Sequence, residues 1–398
     1  MIRYLLLAAY TIALLSIGIT SDWHSVSESN GAMHTSLALT HVRMGLRTTR
    51  GQSFFRETQT GGIRPYSHHP PGVDLLLAAA FAATRSSSPA VARVVMIAFH
   101  TGTILLLALL LSRFVSPAMA TFGAFAAATL PMSAFFGRMV NYEAPCLFAV
   151  VLLLLGYAKR KADASPAALA LTGGAIVLGM LLDWPIVLFA GALVAVEVIA
   201  GRRDADWPLV ATIAGVTAAM TILNASHVWF AAQGAFAEMH GYVSSDWPWN
   251  GRNFSLAQFV WRLMTWFAWL FTCTGAIAFA ATFVALFARR WSAGALRRIV
   301  AASIIAPAVY VVAAPGWAFV HPYWMFYFLP AVAISLTLLS QFVWERARAG
   351  NTTMRAATVV FAIEMIATSA HTLTRLHRTV NPYDVEQTRY FRTTFLAP

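Results

Sequence analysis

The chain has 398 residues, of which 59% are hydrophobic and only 11% charged, with a mean hydropathy of +0.64. A soluble domain carries about 25% charged residues, so the composition excludes an ordinary soluble globule and describes a polytopic membrane protein, for which length says little about domain number. The formal charge of +12 lies mostly in short breaks between apolar runs, which points to orientation in a bilayer rather than to nucleic acid; no basic–aromatic nucleic-acid motif accompanies it.

A helix needs roughly 17–25 apolar residues to cross a hydrocarbon core of about 30 Å, and its backbone groups must be satisfied internally. The runs that qualify are 4–20, 91–113, 118–136, 143–158, 166–182, 185–200, 207–230, 263–288, 299–315, 322–343 and 356–373. They predict an all-α bundle of about 11 transmembrane helices. Only Arg3 precedes the first run and no Ala-x-Ala site follows it, so it is expected to be a retained span rather than a signal peptide. Cys146 and Cys273 fall in apolar runs and predict buried thiols with no disulfide framework. Nearly all the basic residues are Arg, with Lys only at 159 and 161; together with abundant Ala this suggests a GC-rich bacterial genome.

The breaks set the topology. Lys159-Arg160-Lys161, Arg202-Arg203, Arg289-Arg290 with Arg297-Arg298, and Arg346, Arg348 and Arg355 fall on one side, which the positive-inside rule makes cytoplasmic. The first long loop (21–74), the 138–143 break, Asp183-Trp184-Pro185, a second long loop (231–262), the 316–321 turn and the tail (374–398) then face outward.

The first loop is the most polar stretch and holds five of the 11 histidines: His24, His34, His41, His68 and His69. Within it, residues 30–44 carry Met33, Leu37 and Met44 on one side and Thr35 and Arg43 on the other. That spacing predicts an amphipathic helix lying on the membrane surface, stopped by Gly45. Residues 72–84 are apolar, too short to span, and follow a Pro-Pro, so they predict a second surface or re-entrant helix. Residues 51–62 between them read as a mobile loop. Despite the histidines, no His-x-x-x-His or Glu-x-x-His pair is present, so no metal and no other cofactor is expected. Asp183, between two apolar runs, reads first as a cap for the helix begun by Pro185. Glu364 lies inside the last span with no partner the sequence can name. Trp247, Trp249, Trp261, Trp266 and Trp269 read as an interfacial belt.

A set of strings ties these features together. Asn30-Gly31-Ala32, Arg43-Met44-Gly45-Leu46 and His68-His69-Pro70-Pro71 occur in that order. They are followed by Val91-Ala92-Arg93, the run from Phe136-Gly137-Arg138 to Asn141-Tyr142-Glu143, and His321-Pro322-Tyr323. The set resembles the family 39-like, type C membrane glycosyltransferases, which include the protein O-mannosyltransferases and the bacterial aminoarabinose transferases. The agreement covers residues 28–158 and is mainly hydropathy beyond them.

The resemblance implies one membrane-embedded domain over 1–398, in the inner (cytoplasmic) membrane with its active site facing the periplasm or exterior. It implies inverting transfer of a sugar from a polyprenyl-phosphate donor to a lipid, glycan or protein acceptor. A carboxylate would deprotonate or orient the acceptor, and Glu28, with Asp22 upstream, is the candidate. Asn30 stands where the aminoarabinose transferases begin the helix with an acidic pair. Substrate-binding candidates are Asn30, His68, His69, Arg138, Glu143, His321 and Tyr323, of which Arg138 offers a two-pronged phosphate ligand. The rival readings are a transporter or flippase for a lipid-linked or small anionic substrate, which should show internal repeats and helices broken at the midplane, and a non-catalytic scaffold.

Overall fold

The computed structural model describes residues 1–201, 204–232, 236, 254–287 and 294–396. The expectations placed on most of the 231–262 loop, with Trp247 and Trp249, and on Arg202, Arg203, Arg289 and Arg290 lie outside the described residues.

Helices dominate, and short polar caps and prolines divide them. Helices α1 (Ile2–Leu15), α2 (Ser29–Met44), α3 (Leu46–Thr49) and α4 (Gly72–Thr84) are followed by α5 (Pro89–Leu111), α6 (Pro117–Thr129) and α7 (Pro131–Phe136). Then come α8 (Glu143–Asp163), α9 (Pro166–Leu182), α10 (Pro185–Ile199), α11 (Trp207–Ala231), α12 (Leu256–Leu270), α13 (Thr272–Phe287), α14 (Ala295–Ala313) and α15 (Pro315–Val320). A 3-10 turn (Pro322–Phe328) leads into α16 (Leu329–Arg348), α17 (Thr352–Arg378) and α18 (Pro382–Phe391). Proline at the first helical position costs nothing, because that N–H has no intrahelical partner. Ser116, Ser165, Asp206 and Asn351 supply side-chain caps to the N–H groups of Met119, Ala168, Leu209 and Met354.

The chain is an all-α, multi-pass membrane protein. Among the described residues five stretches are long and apolar enough to cross a bilayer: α5, α11, α14, the 3-10 turn with α16, and α17. Helices α12 and α13 make a sixth if the bent pair counts as one, and α1, α4, α9 and α10 are apolar but shorter. Length and composition therefore give fewer crossings than the about 11 apolar runs suggest. Small residues let the helices approach closely: a Cβ on Gly156 of α8 would lie 2.7 Å from Thr172 Oγ1 of α9, the close packing favoured between membrane helices.

Four expectations are corrected. The expected 263–288 span is instead α12 and α13, meeting at a 116° bend where Thr272 takes φ +63°. Glu364 finds its partner there: its carboxylate accepts the N–H groups of Cys273 and Thr274, both at 2.9 Å, at the start of α13. The helix dipole favours a carboxylate at that end. Helix α2 forms where expected and Gly45 ends it at φ +77°, yet it is no surface helix. His34, Leu37, Ala38 and His41 are buried, because α4 and α18 pack against it. Residues 51–62 are not simply a loop, since Phe54–Arg56 (β1) pairs antiparallel with Ile63–Pro65 (β2). Finally, Cys146 is buried as expected but Cys273 is exposed, standing at the bend.

The two ends of the bundle differ. At one end Glu197 of α10 is buried and accepts from Lys161 at 3.2 Å and Arg298 at 2.7 Å, and also from Tyr157; Arg160 pairs with Asp206 at 2.7 Å. The other end carries α2, α4, the hairpin and α18, and there His34 and His69 meet the buried acids Asp74 and Asp183.

Candidate active site

The site end is tied together first by a knot around residues 17–31. Arg93, on α5, donates to the carbonyls of Ile19 (2.8 Å) and Ser21 (2.5 Å) and to Glu28 Oε1 (3.0 Å). Arg138 donates to Glu28 Oε1 at 3.3 Å and to the carbonyl of Ile17. Glu28 Oε2 accepts the Ser25 N–H at 3.3 Å. Burial brings the Arg138 guanidinium down to about 10, opposed by Glu28 and reinforced by Arg93, so it stays charged at neutral pH. Trp23 lies over Arg93, 4.3 Å from guanidinium carbon to ring centroid, and explains Gly31: a Cβ there would sit 2.4 Å from the indole.

The tail closes over this knot. Asp384 of α18 accepts the N–H groups of Ser27 (3.0 Å) and Ser29 (2.9 Å), capping α2 from about 350 residues away. Thr388 donates to the Trp23 carbonyl at 2.7 Å, and Arg392 makes a two-pronged contact with Asp22 at 2.8 and 2.5 Å. Burial would raise the Asp22 pKa, but the Arg392 contact and the Trp23 N–H outweigh it and hold the carboxyl below its ordinary range.

Beside the knot, two imidazole–carboxylate pairs flank one tyrosine. His34 Nδ1 donates to Asp74 Oδ1 at 2.7 Å, its Nε2 meets Asn141 Oδ1 at 3.0 Å, and Ser53 donates to Asp74 Oδ2 at 2.6 Å. His34 and Asp74 are wholly buried. His69 Nδ1 donates to Asp183 Oδ1 at 2.7 Å; Asp183 also accepts the Trp184 N–H at 2.8 Å and the Tyr327 hydroxyl at 3.1 Å. Tyr142 stands edge-on to His34 at 4.6 Å and stacks on His69 at 4.1 Å with 12° between the rings. Asp183 is buried, whereas the His69 side chain is 25% exposed.

The residues singled out from sequence therefore separate. Glu28 and Arg138 come together, but as a buried ion pair inside the knot rather than as an open base and an open phosphate ligand. Asp22 is tied to the tail. Asn30 begins α2 with a buried amide nitrogen that has no partner, and Glu143 has one such carboxylate oxygen. His69 stands in the open pair. The His68 carbonyl accepts from the Trp184 indole at 2.8 Å, and burial, helped by His69 and Arg64, pushes its imidazole down to about 4. His321 lies parallel to Trp317 (5.5 Å, 8°) and 5.1 Å from Tyr323; burial takes it to about 4. Sequence reasoning named His34, Arg93 and Asn141 without giving them a site role, gave Asp74 none, and read Asp183 first as a cap. A usable signal existed for Arg93, an ionisable residue inside an apolar run.

Among the described residues no group of three or more His, Cys, Asp or Glu is placed to hold a metal. A cavity of about 690 Å³ lies between α6, α13, α16 and α17, lined by Phe122, Leu336, Trp344, Arg348 and Phe361. None of the residues of the knot or of the two imidazole–carboxylate pairs lines it.

No protein-family model matches this sequence, and no curated protein does. Solved structures do. The oligosaccharyltransferase of Archaeoglobus fulgidus in its apo form matches with a TM-score of 0.63 at 13% identity, over 99% of this chain and 60% of its own. The oligosaccharyltransferase AglB from Archaeoglobus fulgidus, in complex with an inhibitory peptide and a dolichol-phosphate, matches with a TM-score of 0.62 at 14% identity. ArnT from Cupriavidus metallidurans bound to undecaprenyl phosphate matches with a TM-score of 0.60 at 14% identity, over 98% of this chain and 76% of its own. The chain thus spans about 60% of the oligosaccharyltransferase's length. Over nearly its whole length, this chain shares the fold of AglB and ArnT.

Proposed function

We propose that the protein transfers a sugar from a polyprenyl-phosphate donor to an acceptor at the outer face of the cytoplasmic membrane, with inversion at the anomeric carbon. One observation carries this reading: a bundle that matches the fold of ArnT, a protein solved with undecaprenyl phosphate, over 98% of its length gathers two imidazole–carboxylate pairs at one end. The opposite end holds the basic breaks around Lys161 and Arg298, so the positive-inside rule turns the site outward.

The chemistry needs few groups. The acceptor oxygen attacks the anomeric carbon as the bond to the donor phosphate breaks, and cations stabilise the charge that develops on that phosphate. Arg262 stacks on Phe319 (4.6 Å) and Trp266 (5.0 Å), and Arg375 on Trp269 (5.4 Å). Neither forms an ion pair among the described residues, and we assign both to the donor phosphate. Arg93, Arg138 and Glu28 hold the end of α1 against α5 and the start of α2, keeping the outer wall in place. The transporter reading gains only the bent pair α12–α13, whereas a matching solved structure is an oligosaccharyltransferase.

The test is transfer by the purified protein in lipid, with a panel of polyprenyl-phosphate hexoses and pentoses and mixed lipid and glycan acceptors. Labelled sugar should move to an acceptor and release polyprenyl phosphate. Arg262→Ala with Arg375→Ala should weaken donor binding at least tenfold. Movement of the intact donor across a vesicle membrane, with no sugar transferred, would overturn the proposal.

A further inference from the structure

We infer that His69 is the general base of this transfer, positioned by Asp183, and that the acceptor is a neutral hydroxyl compound rather than an anion such as a phosphate. The inference rests on the proposed sugar transfer.

The carboxylates at the site end are poorly placed to take a proton. Glu28 accepts from Arg93, Arg138 and the Ser25 N–H. Asp74 accepts from His34, Ser53 and Tyr142, and Asp183 from His69, Trp184 and Tyr327. Glu143 keeps one oxygen without a partner, but that oxygen is sealed from solvent. A carboxylate with three donors has its oxygens already occupied, which leaves an acceptor hydroxyl little room to approach it.

His69 is differently placed. Its Nδ1–H is committed to a buried carboxylate at 2.7 Å, which fixes the tautomer and leaves the lone pair on Nε2. Its ring lies flat on Tyr142, so Nε2 has a set direction, and the side chain is 25% exposed. A nucleophile's base needs that combination: one nitrogen held, the other open. In the step, the acceptor O–H proton passes to Nε2 as the oxygen bonds to the anomeric carbon. The C–O bond to phosphate breaks, its electron pair leaves with polyprenyl phosphate, and the imidazolium returns its proton to water at its exposed edge. An acceptor already ionised would need no such group.

The experiment uses the full-length protein in nanodiscs, octyl glucoside as a neutral hydroxyl acceptor, trifluoroethanol as a more acidic hydroxyl, and inorganic phosphate as the anion. His69→Ala should lower kcat with octyl glucoside about 10²–10⁴-fold, leave donor KM within threefold, and recover in part with added imidazole. Its loss should be smaller with trifluoroethanol. Asp183→Asn, which holds the ring but favours the wrong tautomer, should lower kcat and shift the pH–rate profile. His69→Gln guards against misfolding of the alanine variant. Transfer by His69→Ala and His69→Gln at wild-type rates, or wild-type preference for phosphate over both hydroxyl acceptors, would overturn the inference while leaving sugar transfer intact. Absence of transfer to any acceptor by the wild type overturns both.

Discussion

His34–Asp74 and His69–Asp183 are the same chemical pair at the same 2.7 Å, set against one tyrosine ring, and they have opposite fates. In the first, both imidazole nitrogens and both carboxylate oxygens are engaged and no surface is exposed. That pair joins α2, α4, the strand segment and the 137–142 turn, and its worth lies in holding four pieces of chain together. In the second, Nε2 has no hydrogen bond among the described residues and a quarter of the side chain is exposed. The lesson is that residue identity and spacing do not make a site. The number of partners left unfilled does.

Several substitutions would break or sharpen this contrast. The largest effect is expected from Asp74→Ala, which leaves His34, Ser53 and Asn141 buried around a missing acceptor. Breaking a buried pair from one side costs about 3–5 kcal/mol, so the thermal midpoint in detergent should fall sharply. His69→Ala, at a partly exposed ring, should move it far less. Gly31→Ala comes next. Its Cβ would overlap the Trp23 indole, and such overpacking costs about 1–3 kcal/mol; Trp23 fluorescence should report the displaced ring.

Acid should act on the neighbour of the open pair. The folded-state pKa of His68 is about 4 against an ordinary 6.5. Between those values the unfolded chain binds a proton that the folded chain does not, so stability must fall as pH drops from about 6.5 to about 4. His68→Gln should flatten that part of the denaturation–pH curve. The smallest effect is expected from Arg392→Ala: its ion pair with Asp22 is half exposed, and such pairs contribute about 0–1 kcal/mol. A loss above 2 kcal/mol would show that the tail matters more than its surface contacts suggest.

Much of this was legible in the chain. The all-α membrane architecture follows from apolar run length, α4 occupies 72–84 as its Pro-Pro start implies, and Gly45 ends α2. The site was legible only as a region. Residues 68–69 and 138–143 could be located because polar strings interrupt apolar ones. Which of two adjacent histidines stands open could not, since that depends on Asp183, 114 positions away. Glu28 looked like a base because the resemblance places an acidic residue at the start of that helix; its partners, Arg93 and Arg138, arrive from α5 and the turn after α7. The bend at Thr272 was hidden because both arms are apolar and read as one run, and the burial of α2 because the tail that covers it lies at the far end of the chain.

The most direct test compares the two pairs in one assay: sugar transfer per folded molecule for His34→Gln and His69→Gln, each normalised to its own thermal unfolding curve. The account predicts that His69→Gln keeps a midpoint near wild type and loses at least 100-fold in kcat. His34→Gln should lose stability, while its remaining folded fraction turns over within a few-fold of wild type. Near-wild-type turnover by folded His69→Gln would contradict it.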